Sequence, residues 1–183
     1  RRLLPGPART GGDHMSPQSL RILLQPLLAG DLPAWQGLPA VSVADFDALY
    51  GPPTVRREEP LGALPAMRHD YAAGDDGTLA MWSRGGQAVM LAPAHLPSPA
   101  VLDTLPAPDA VLAHEILVPG HYAHEYLYCT RGLVLTVAQS LQGNERHIAR
   151  CRGMAPLAAP REFGPDFYLA FEDRVSWARL EDS

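Results

Sequence analysis

The sequence predicts an α+β, mainly helical fold with one β-hairpin, on three observations. The stretch from Pro108 to Leu141 is long and nearly free of proline, broken only at Pro119-Gly120. Between Pro165 and Leu180, the side chains Phe167, Ala170, Phe171, Arg174, Trp177 and Ala178 recur at helical spacing. Thr78 to Ser83 and Gln87 to Ala92 are apolar-rich runs separated by Arg84-Gly85-Gly86, the pattern of a hairpin.

Taken in order, residues 1–76 read as irregular chain with short helices. Residues 18–29 form an apolar helix with a break at Pro26, and Val43 to Tyr50 form another capped by Ser42. Gly51 to Pro65 is a connector. The turn Asp75-Asp76-Gly77 opens the hairpin of residues 77–93. Residues 108–183 form a helical region: a helix from near Pro108, with Asp109 suited to its positive end, is interrupted at Pro119-Gly120 and resumes from His121 to Leu141. The last helix follows Gly164.

A length of 183 residues with 46% hydrophobic side chains fits a single domain, 1–183. The net charge of -5 argues against a nucleic-acid surface, which needs a cationic excess along the phosphates. All the cationic side chains are arginines, scattered along the chain. Two cysteines, Cys129 and Cys151, are too few for a disulfide scaffold and lack zinc-site spacing, so they read as core thiols. The apolar run Leu20 to Leu28 is interrupted by Gln25 and Pro26, and no run reaches membrane-span length. The chain begins without methionine and ends within a helical pattern, so the remainder of a longer chain is expected.

The chemistry concentrates between His114 and Glu125, HEILVPGHYAHE, where His114, Glu115, His121, His124 and Glu125 stand among apolar residues. Imidazole and carboxylate side chains in that density are metal ligands and proton carriers. On a straight helix His114 and His121 lie on one stripe but roughly 10 Å apart, too far to share a zinc ion. Pro119-Gly120 would have to bend the helix to join them. A second set needs no bend: His121, His124 and Glu125, three and four apart, converge on a regular helix.

His-Glu, a short apolar gap, Pro-Gly-His and an aromatic residue together resemble the signature of the domain-of-unknown-function 885 family, zincin-like metallopeptidases that are largely helical. Gly86 to Pro93 resembles the extended segment which that family places before its motif, and the likeness covers residues 77 to 128. The resemblance implies a zincin-like domain with the hairpin beside a Pro-Gly-kinked motif helix, and zinc as cofactor. It also implies His114 and His121 as zinc ligands, Glu115 as general base, and a peptide or small amide as substrate. The family's third ligand precedes a Gly-Trp step that Ser176-Trp177 resembles, but Val175 stands at the expected glutamate position, so Glu172, one turn earlier, is taken as the third ligand, with Glu145 and Glu162 as substitutes. Val89 and Leu91 would lie on a substrate-edge strand, and Tyr122, Tyr126, Tyr168 and His147 are candidates to steady an oxyanion. One difference stands out: the gap holds three residues, Ile116, Leu117 and Val118, where the family has two.

The expected function is therefore a zinc-dependent hydrolase in which metal-bound water attacks a carbonyl and Glu115 carries the proton. Two alternatives stand beside it. One is a non-haem iron enzyme using His121, His124 and Glu125. The other is a non-catalytic homologue or helical interaction module.

Overall fold

A computed structural model of the chain describes residues 14–61, 64–113, 121–140, 142–143 and 145–158. Near its start, α1 (Pro17–Leu28) is capped by Ser16, whose hydroxyl accepts the Ser19 N–H at 3.1 Å. Pro26 does not end this helix. Leu20, Leu24, Leu27 and Leu28 are buried at helical spacing, and that packing carries the helix past the missing N–H. A short 3-10 turn, Leu32–Ala34, leads to the buried Trp35. The second helix, α2 (Val43–Tyr50), starts with a reciprocal cap in which Ser42 Oγ accepts the Asp45 N–H and Asp45 Oδ2 accepts the Ser42 N–H at 2.9 Å.

The strands of the described chain form one antiparallel sheet. Its strands are β1 (Val55–Glu58), β2 (Met67–Ala72), β3 (Thr78–Arg84), β4 (Gln87–Pro93), β5 (Ala110–Ala113), β6 (His121–Tyr128), β7 (Leu133–Ser140) and β8 (Arg146–Met154). Among the described residues they are ordered β1-β2-β3-β4-β8-β7-β6-β5. The fold of the described residues is therefore mostly antiparallel sheet, and the expectation of a mainly helical α+β fold is overturned.

The correction is largest between Pro108 and Leu141, where strands β5, β6 and β7 replace the expected kinked helix. In β6, Ala123, Glu125 and Leu127 are buried on one face while Tyr122, His124 and Tyr126 alternate onto the other, a period of two. In β7, Leu133 to Ala138 are buried throughout, as in a strand covered on both faces. A proline-poor apolar run is compatible with helix or buried strand, and the β-branched and aromatic residues of this stretch favour the strand. The positions 114–120 and the expected last helix, 165–180, lie outside the described residues. No described helix is long and apolar enough to cross a membrane.

The sheet has two faces with different tasks. Tyr71, Leu79, Met81, Leu91, Tyr128, Leu133, Leu135 and Cys151 point towards α1, α2 and Trp35 and form the main core. Trp35 closes that layer. Its indole N–H donates to the Gly132 carbonyl at 3.2 Å, and its ring lies where a side chain at Gly153 would be. Gly132, at φ +55, also abuts the Met154 carbonyl so closely that a Cβ would collide with it. The opposite face carries two smaller apolar clusters, Leu61, Ala80, Trp82 and Met90 in one, and Leu112, Leu127, Cys129, Val134 and Met154 in the other. Charged side chains interleave with them there.

Candidate functional site

Among the described residues, those singled out by sequence do not converge. His114, Glu115 and Glu172 lie outside the described residues, as do Glu162 and Tyr168. His121 opens β6, its backbone paired with Ser140. His124 lies opposite Val137 on the helix-covered face, whereas Glu125 lies opposite Thr136 on the other. Strand alternation therefore separates His124 from Glu125, and the helical convergence expected for the iron set does not occur. Tyr122 is exposed, Tyr126 packs against the main core, and Glu145 and His147 are exposed. Among the described residues no three His, Cys, Asp or Glu side chains are grouped to hold a metal ion.

The expected substrate-edge strand is interior. On one side β4 pairs with β3; on the other Met90 and Leu91 pair with β8, and the Ala88 N–H donates to the Val41 carbonyl at 2.8 Å. Leu91 is fully buried in the core. Val89 is the extra residue of a β-bulge, since Trp82 faces Met90 and Ser83 faces Ala88.

A cavity of about 510 Å³ opens on the second face, between β2, β3, β4 and β8. Trp82 from β3 and Met90 and Ala92 from β4 supply apolar wall, with Leu96 from the following loop. Arg68 from β2, and Arg150 and Arg152 from β8, bring cationic groups; Glu59 brings a carboxylate. The register places Arg68 directly opposite Trp82, and its guanidinium lies 5.0 Å from the ring centroid. Arg68 donates through Nε to Asp70 at 2.8 Å and through Nη1 to Glu59 at 3.4 Å. Two of its five N–H donors are thereby engaged. Burial works against the Arg68 charge, but Asp70 and Glu59 more than offset it and raise its pKa. Glu59 is the counterpart: burial pushes its carboxyl up, and Arg57 and Arg68 outweigh that and hold it below the ordinary value.

Trp82 itself is only 8% exposed, and its buried indole Nε1 has no hydrogen-bond partner among the described residues. A buried donor without an acceptor costs about 1–3 kcal/mol, so this N–H is a standing demand for an acceptor. Comparisons with protein-family models, curated proteins and solved structures find no match for this chain. The site is accordingly read from its own chemistry.

Behind the cavity, Arg152 is 3% exposed and Glu125 1%. Arg152 Nη1 donates to Glu125 Oε1 at 3.2 Å, Thr136 Oγ1 donates to the same oxygen at 2.8 Å, and Arg152 Nη2 donates to Thr136 Oγ1 at 3.4 Å. Glu125, expected as a metal ligand, is thus the counter-ion of a cavity-lining arginine. The cavity residues escaped the sequence reading because Arg68, Trp82 and Arg152 come from three strands and meet only through the sheet register. The legible signal was a single one: a tryptophan alternating with small and apolar residues in Thr78 to Ser83.

Proposed function

We propose that this chain is a small-molecule-binding domain whose site is the cavity beneath Arg68 and Trp82, and whose ligand is a compact organic carboxylate. The observation that carries the reading is the buried Trp82 N–H without an acceptor, beside an arginine with donors to spare. A carboxylate satisfies both through charge-assisted hydrogen bonds, while Met90, Ala92 and Leu96 receive its apolar body. Calorimetric titration with benzoate and octanoate, against benzyl alcohol and 1-octanol, tests it. Carboxylates should bind and the alcohols should not; equal binding of both, or of neither, removes the proposal.

The zinc-dependent hydrolase remains a second reading. What supports it is the sequence itself, in which imidazole and carboxylate side chains crowd between His114 and Glu125. Metal analysis of wild type, His114→Ala and His121→Ala is its test. One zinc per chain in wild type, lost in both variants, supports it; equally little zinc in all three ends it. If zinc is held, Glu115→Gln should keep the metal and lose peptide or amide turnover.

A further inference from the structure

The β-bulge at Trp82 and Ser83 serves a second cavity. Its volume is about 610 Å³, and it lies beside the β3–β4 turn, with Ser83, Arg56, Arg84, Gly85, Gly86 and Val43 among its lining. Ser83 is 5% exposed and belongs to that lining, while its hydroxyl oxygen lies 2.9 Å from His69 Nε2. A bulge re-aims the side chains around it, and here it stands at the residue that joins this cavity to a buried imidazole.

His69 is 1% exposed and stacked against Tyr71, with ring centroids 6.2 Å apart and planes 9° from parallel. Burial and the nearby Arg56 charge depress its pKa, outweighing Asp47 and Asp70, so at neutral pH it is an uncharged base. Its buried Nδ1 has no partner among the described residues, and the Asp47 carboxylate accepts instead from the Tyr71 hydroxyl at 2.8 Å. Among the described residues the arrangement is a serine–histidine dyad without an orienting acid.

We infer that Ser83 is a nucleophile activated by His69, and that the second cavity takes small esters. In the first step the Ser83 oxygen bonds to the acyl carbon, its proton passes to His69 Nε2, and the C–O bond to the leaving alcohol breaks as that oxygen takes the proton. Water then attacks the acyl-serine, giving one proton to His69 and through it to the departing Ser83 oxygen. The sum is ester and water to carboxylic acid and alcohol, with no redox change. Arg56, Arg84 and the Gly85-Gly86 backbone are the lining groups that carry donors for a developing oxyanion.

The test is diisopropyl fluorophosphate, which forms an O–P bond to an activated serine and releases fluoride and a proton. Trypsin cleaves after Arg68 and Arg84 and isolates His69 to Arg84, whose sole serine is Ser83. That peptide should be labelled at least ~100-fold faster than the peptide holding the exposed Ser98, the lower end of the range ascribed to general-base assistance, and His69→Gln should remove the advantage. Ser83→Ala should leave the peptide unlabelled. Labelling of wild-type Ser83 no faster than Ser98 overturns the inference whatever the variants do, and so does undiminished labelling in a His69→Gln protein that keeps its melting transition.

Discussion

The Arg68 guanidinium lies 5.0 Å from the centroid of the Trp82 ring, and the two residues face each other across β2 and β3. Arg68 covers an indole whose N–H has no acceptor, and it is itself held by Asp70 and Glu59. Both residues line the cavity. Arg68→Gln removes the charge and the ring contact; at a side chain that is a quarter exposed it should cost only about 0.5–1 kcal/mol of stability. Benzoate affinity should fall about tenfold, the equivalent of one charge-assisted hydrogen bond. Calorimetry and denaturant unfolding separate the two effects. A stability loss with unchanged affinity would place Arg68 outside the site.

The Glu125–Arg152 pair is nearly dry, so removing one partner takes the counter-charge from a group that stays buried. Glu125→Ala and Arg152→Ala should each lose about 3–5 kcal/mol in urea unfolding. The double variant should lose less than the sum of the two. Strict additivity would mean that the pair is not coupled.

Gly132 and Gly85 both sit at φ +55, but only Gly132 faces a neighbour, the Met154 carbonyl, at a Cβ position. Gly85→Ala should cost about 1 kcal/mol for the left-handed backbone alone. Gly132→Ala adds the collision and should cost more. Equal thermal shifts would contradict the close approach of β7 to the end of β8.

Stability should also depend on pH through His69. Its folded pKa lies below the ordinary 6.5, chiefly because burial disfavours the imidazolium. The unfolded chain therefore takes up the proton first as pH falls. The stabilisation is complete above about pH 6.5 and drains as pH drops from there towards the folded pKa. Asp45 and Glu59 add a further loss at lower pH, since Ser42 hydrogen bonds and the arginines respectively overcome burial and hold those carboxyls below their usual values. Melting temperatures from pH 7 to 5 should fall in wild type and flatten in His69→Gln. A slope unchanged by the substitution would exclude His69 as its source.

Local signals in the sequence that act over a few residues were legible. Ser42 three residues before Asp45 marks the α2 cap, and Asp75-Asp76-Gly77 and Arg84-Gly85-Gly86 bracket β3. Residues 110–140 were not, because Leu133 to Ala138 is buried on both faces and so has no period of its own to distinguish strand from helix. That one misreading carried the ligand geometry with it: His124 and Glu125 are neighbours on a helix surface but back to back on a strand. The cavity is a property of register, in which Arg68 meets Trp82, Trp82 meets Met90 and Met90 meets Met154 across three strand pairings. No spacing in the sequence announces it.

The most direct measurement of the central claim is the indole N–H spectrum of nitrogen-15-labelled protein, with the Trp82 signal assigned by its loss in Trp82→Phe. The chain has three tryptophans, which gives the experiment internal controls. On titration with benzoate or octanoate the Trp82 signal should move downfield as its proton gains an acceptor, while the Trp35 signal, already bonded to the Gly132 carbonyl, stays in place. A Trp82 signal unmoved at saturating carboxylate, or moved equally by benzyl alcohol, would contradict the account.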